Sequence, residues 1–219
     1  MKKNIRKIID ILMVILLPIL MAYSLVGETL HEVAGSVLFV LFIIHNLLNR
    51  KWYGSLIKGH YSSVRVFRTI LNLSLIVIMI LQPLSGILMS KHLYTFLPSL
   101  PISSLLRRIH MILAYWGYVL MSIHAGSHLG PLFHKLKTRN KVARIIVCVI
   151  LGSISAYACI AFIGRGFPGY MLGRVAFAFF DYNEPRILFF LDYLSIMLLF
   201  MSIGFFIVYW FGRKRQITE

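Results

Sequence analysis

Four of the eight histidines fall into two pairs with one spacing: His31 and His45, then His110 and His124, each fourteen residues apart within an apolar stretch. An ionisable group in such a stretch is costly to bury and marks function by default. Fourteen residues turn an α-helix through about 1400°, ~40° short of four full turns, and raise it about 21 Å. Both histidines of a stretch therefore share a face, one near each end. If two such helices run parallel and face each other, His31 meets His110 and His45 meets His124. Each pair then offers one imidazole above and one below a flat iron macrocycle. Iron with both axial positions filled exchanges electrons and keeps no open site for oxygen. Two such irons make an electron path from one leaflet to the other. A zinc site would instead want ligands converging at one depth, and a lone membrane histidine ordinarily serves as a polar bond or proton relay.

Other residues join this constellation. Gly35 lies one turn after His31, and Gly117 midway between His110 and His124, where a macrocycle needs gaps against the backbone. Close helix packing at small residues explains either glycine equally well. Arg107 and Arg108 sit just before His110 and suit haem propionates, since arginine pairs well with carboxylates, though a solvated positive rim accounts for them too. His128, one turn after His124, suits a propionate, a quinone or the interface. His60, His92 and His134 read as surface residues of linkers.

The elements that must position these residues belong to lipid. Apolar residues make up 59% of the 219 and charged residues only 14%, which is outside the range of soluble domains. The expected fold is an all-α membrane protein of one domain. Six stretches are long enough to span: 8–26, 31–48, 69–90, 108–129, 143–163 and 187–211. A four-helix haem-binding core is expected around the second and fourth. The N-terminal basic run and apolar stretch resemble a signal peptide, but the stretch exceeds the usual length of one and reads as a retained span.

A net charge of +16 could suggest nucleic acid, yet the basic residues sit in short clusters between apolar runs. Seventeen of the 23 fall on one side of the expected bundle, in the N-terminus, the linkers 51–68 and 130–142 with their flanks, and the tail. That bias puts both termini in the cytoplasm and excludes nucleic acid as the partner. The linker 51–68, with Trp52, Tyr53, Tyr61 and Phe67 among its bases, is expected on the cytoplasmic surface. Cys148 and Cys159 are too far apart to pair on one helix and read as small buried hydrophobes. No CxxCH is present to attach a c-type haem. Gly164-Arg165-Gly166-Phe167-Pro168-Gly169 matches GxGxxG by letter only, because a span precedes it instead of a strand. Gly126 and Gly130 form a GxxxG of little specificity. No segment is long enough for a soluble flavin or nicotinamide domain, so electrons must come from a partner or from quinol.

The chain resembles the haem-bearing cores of cytochrome b and of ferric-reductase-like proteins, and more closely a bacterial family of small flavinylation-associated membrane cytochromes. The resemblance rests on His31-Glu32, His45-Asn46-Leu47-Leu48-Asn49 with Trp52, and Leu84-Ser85-Gly86-Ile87-Leu88-Met89-Ser90. It continues through His110, His124-Ala125-Gly126-Ser127-His128, the run Phe179 to Pro185, and Phe189-Phe190-Leu191-Asp192-Tyr193. It covers nearly the whole chain. Leu129 stands where that family often has Trp, which puts the role of His128 in doubt. The resemblance implies two b-type haems in the bacterial cell membrane, with electrons sent outward to an extracytoplasmic protein carrying covalent FMN. The donor would be quinol or a membrane dehydrogenase, and the chain an electron-transfer component of an oxidoreductase. The alternative from the residues alone is a histidine-based metal or proton transporter without haem.

Overall fold

The computed structural model describes residues 2–96, 104–130, 141–175, 177–178 and 180–218. Among them every regular element is a helix: α1 (Lys2–Met21), α2 (Tyr23–Val26), α3 (Glu28–Leu48), α4 (Lys51–Ser55), α5 (Ser63–Met89), α6 (Ser104–Ser127), α7 (Lys141–Gly164), α8 (Phe167–Met171) and α9 (Arg186–Thr218). His134, Phe179 and the basic residues Lys135, Lys137 and Arg139 lie outside the described residues.

Among the described residues four helices are long and apolar enough to cross a bilayer: α3, α5, Ile145–Gly164 of α7 and Arg186–Arg213 of α9. Their outward faces are unbroken apolar stripes. On α3, Val33, Val37, Val40, Ile44 and Leu47 are all exposed at helical spacing. A soluble monomer does not present apolar surface on that scale, so these faces suit lipid. With 20 and 24 residues, α1 and α6 are long enough too, at about 30 and 36 Å. However, α1 opens on Lys2, Lys3, Arg6 and Lys7, and α6 gives interior positions to His110, Tyr115, Gly117, Tyr118, Ser122 and His124.

Element boundaries depart from the expected ones where polar residues extend or interrupt an apolar run. The first stretch, expected as one span over 8–26, breaks at Ala22 (φ −85°, ψ 32°) into α1 and α2. Gly27, at φ 82°, turns the chain into α3, a conformation glycine adopts without strain. At their polar ends, α6 begins at Ser104 and α9 continues to Thr218. The cysteines are a correction: Cys148 and Cys159 are free and exposed, not buried. The reason is the position of α7, which packs on α9 and α8 alone among the closely packed pairs and turns much of its surface outward.

At the centre lies α6, packed on α5, α8 and α9 and touched by α1, while α1 backs α3. Its buried Tyr115 and Tyr118 meet Phe167 and Tyr170 of α8 and Tyr193 of α9. The Tyr118 hydroxyl donates to the Tyr193 carbonyl at 2.7 Å. Further along, Gly126 of α6 and Gly204 of α9 let the two backbones touch. A Cβ at Gly126 would overlap the Met201 carbonyl, and one at Gly204 the Ile123 carbonyl. A Cβ at Gly130 would meet nothing within 4 Å among the described residues.

The GxGxxG stretch holds an ion cluster. Arg165 Nε donates to Asp192 Oδ2 at 2.7 Å and Nη1 to Glu184 Oε2 at 2.8 Å. Arg165 Nη2 also donates to Glu184 Oε1, and the Tyr157 hydroxyl to Asp192 Oδ1. The guanidinium lies 5.3 Å from the Phe189 ring centre. Glu184 and Asp192 together raise the Arg165 pKa above its ordinary value, so the cation is permanent. Its side chain is 18% exposed, and those of Glu184 and Asp192 are 15% and 11%. Removing the shared cation leaves two nearly buried carboxylates uncompensated, a loss of about 3–5 kcal/mol. Arg165→Met is therefore expected to lower the thermal midpoint in detergent far more than Tyr157→Phe, which removes one hydrogen bond worth about 1 kcal/mol.

Candidate functional site

The site forms where α3 faces α6. The backbone of α3 packs closely on α1, α2 and α5 but not on α6. Histidine rings bridge that space. The His31 and His110 ring centres are 6.3 Å apart, and those of His45 and His124 are 6.4 Å apart. The two helices thus run parallel, with one pair near each end. Two imidazoles on opposite sides of one iron, each nitrogen about 2 Å from the metal, put their ring centres about 6 Å apart. The observed separations fit that arrangement. They are also too long for direct hydrogen bonds between rings with those centres and interplanar angles of 64° and 76°.

A cavity of about 570 Å³ opens on the His31–His110 pair, lined by Gly35, Gly86, Gly117 and Arg107 among others. That volume falls in the range of cofactor and ligand sites. Gly86 lies against the His110 ring, where a Cβ would meet Cε1 at 3.4 Å. Gly117 also serves helix packing, because a Cβ there would press on Ile78 of α5 at 3.2 Å. His45 and His124 do not line this cavity.

Two of the four histidines have a backing group from a neighbouring helix, each through an Nδ1 hydrogen bond. His45 Nδ1 donates to Asp10 Oδ1 of α1 at 2.7 Å. His110 Nδ1 donates to Ser85 Oγ of α5 at 2.8 Å, and the Ser85 hydroxyl donates onward to the Gln82 carbonyl at 2.8 Å. Both bonds leave Nε2 with its lone pair, faced by an amide nitrogen: Gln82 Nε2 at 3.1 Å from His110, Asn49 Nδ2 at 3.4 Å from His45. His31 Nδ1 and His124 Nδ1 are buried without a hydrogen-bond partner. Metal-ligating histidines are oriented by acceptors of this kind.

Loops close the two ends. Glu32 accepts from the Ser90 hydroxyl at 2.7 Å and from the backbone amides of Lys91, His92 and Leu93 at 2.9, 3.3 and 2.9 Å. It thereby fixes the segment after α5 beside the cavity, and Ser36 and Tyr94 hydroxyls bond at 2.9 Å beneath it. Glu28 holds Lys91 at 2.8 Å. At the other end Asn46 accepts from the Tyr53 hydroxyl at 2.6 Å, and Arg6 donates to the Leu48 carbonyl at 2.6 Å. Asn46 and Asn49 of the HNLLN run therefore anchor the turn into α4.

The remaining sequence candidates divide. Arg107 lines the cavity, its guanidinium 5.2 Å from the Phe177 ring centre. Arg108 does not line it and lies beside Gly173. The His128 ring centre is 4.9 Å from that of His124, on the exposed side of the second pair. His60 and His92 are exposed. Among the described residues no three His, Cys, Asp or Glu side chains form a group suited to a metal ion. Reading the sequence missed Asp10, Ser85, Gln82 and Arg68. Arg68 Nη2 donates to the Ser127 carbonyl at 2.5 Å, and its buried Nε has no partner. A signal existed for Asp10, an acid within the first apolar stretch, and for Arg68, a cation at the start of the third. No family model, curated protein or solved structure matches the chain.

Proposed function

We propose that this chain is a b-type membrane cytochrome of six spans that carries electrons across a bacterial cell membrane through two bis-histidine haems. The observation that carries the reading is the pair of ring separations, 6.3 and 6.4 Å, at two levels of parallel helices. His31 with His110 holds the outer haem and His45 with His124 the inner one. Arg107 and Arg68 stand ready for propionates at opposite ends. Bound in this way, haem supplies one-electron exchange with no open coordination position. The glycines keep side chains off the macrocycle plane, and the backing groups orient the imidazoles. The basic clusters favour cytoplasmic termini, with α1 and α6 as the two further spans. Quinol or a membrane dehydrogenase donates, and an extracytoplasmic flavoprotein or ferric complex accepts, in keeping with the resemblance to flavinylation-associated cytochromes.

One observation favours a second reading. A carboxylate–imidazole pair on the apolar helices, Asp10 with His45, is a group a proton carrier can use. Haem content separates the two. Protein purified from a haem-replete host is expected to carry about two haems b per chain with a sharp reduced α-band. Colourless protein with proton- or metal-dependent transport would overturn the cytochrome reading.

A further inference from the structure

The four histidines differ in what backs them, and helix register shows why. Along α1 and α3, Asp10 bonds His45, and the Leu20 side chain lies at Gly35, one turn from His31. Along α5 and α6, Arg68 meets Ser127, Ile78 meets Gly117 and Ser85 meets His110. That antiparallel register brings Asn72, whose buried Oδ1 is unpartnered, level with His124, whose buried Nδ1 is unpartnered. The two hydrogen-bonded histidines are thus backed by a hydroxyl, for His110, and a carboxylate, for His45. Only the carboxylate is anionic.

A carboxylate accepting Nδ1–H makes an imidazole more basic toward its metal. A more basic ligand stabilises ferric over ferrous iron, which lowers the reduction potential; hydrogen bonding around the ligands is one of the levers a protein has on that potential. We propose that Asp10 is a positioning residue that holds His45 in the tautomer with Nε2 free for iron and depresses the potential of the haem at that end, leaving the other haem untouched. The proposal rests on the di-haem reading. The charged or titratable groups facing the same pair are Arg68 from α5 and His128 from α6. Both stay in place in every variant below, so a shift reports Asp10.

The test is an optical redox titration of the purified holoprotein with haem quantified per chain, on wild type, Asp10→Asn and Asp10→Glu. Asparagine keeps an acceptor oxygen and removes the charge, while glutamate restores the charge. Asp10→Asn is expected to keep both haems and raise one of two midpoints by about tenfold in reducibility, about 59 mV for one electron. Asp10→Glu is expected to return it toward wild type. The shift should persist when His31→Ala and His110→Ala remove the outer site and vanish when His45→Ala and His124→Ala remove the inner one. Two haems with both midpoints unmoved in Asp10→Asn, or movement confined to the outer haem, would overturn the role of Asp10 alone. A wild type without haem would overturn the parent reading instead.

Discussion

Replacing either His31 or His110 with alanine is expected to remove one and the same haem, and replacing either His45 or His124 to remove the other. In the proposed di-haem cytochrome each single variant would carry about one haem per chain against about two in wild type, because neither partner of a pair can hold both axial positions. The pairing follows from ring centres 6.3 and 6.4 Å apart. Double variants sharpen the test. Removing both His31 and His110 costs no more haem than removing one, whereas removing His31 and His45 empties both sites. Haem quantified against protein, with the reduced α-band resolved into components, reads the result. If the variant lacking His31 and His124 kept one haem, the pairing across α3 and α6 would be wrong.

The second large effect is on stability and lies away from the histidines. Gly126→Val or Gly204→Val inserts a branched side chain where the backbones of α6 and α9 touch. The atoms in the way are the carbonyls of Met201 and Ile123, which cannot turn aside without breaking their own helices. The helices must separate, and Tyr118 and Tyr193, buried further along the same seam, lose packing. Overpacking that side chains can absorb costs about 1–3 kcal/mol; here the obstacle is backbone, so the loss is expected at or above the top of that range. Gly130→Val is the control, since among the described residues nothing lies within 4 Å of a Cβ added there. Thermal unfolding in detergent and the monodispersity of the purified protein measure the difference. A Gly126→Val protein as stable as Gly130→Val would mean that α6 and α9 do not cross where described.

These two predictions differ in how legible they were. The histidine faces follow from arithmetic, because fourteen residues nearly complete four turns, and a shared spacing on two helices needs no alignment between them. The partners of the histidines do not follow from periodicity. Asp10 and His45 are 35 residues apart and Ser85 and His110 are 25 apart, so their meeting depends on inter-helix register, which a hydrophobic pattern leaves open. The same holds for Gly126. Its sequence motif pairs it with Gly130, four residues on and past the end of α6, whereas its structural counterpart is Gly204 on α9. Four helices stand out from lipid-like composition. The other two long ones, α1 and α6, are less apolar because they carry basic residues, the interior tyrosines and half of the paired histidines. Cys148 and Cys159 were misjudged because a helix that is apolar all round reads alike whether it faces protein or lipid.

The fourteen-residue offset between the two histidine levels also has an electrical meaning. About 21 Å of rise is roughly 0.7 of a hydrocarbon core about 30 Å thick. An electron moved between the levels therefore crosses most of the membrane field. In the proposed cytochrome, with the cell interior negative, passage toward the outside would run down that field and gain about 1.6 kcal/mol per 100 mV. Such transfer would be electrogenic: it would discharge the membrane as it proceeds, and the resting voltage would drive electrons outward even between irons of equal potential.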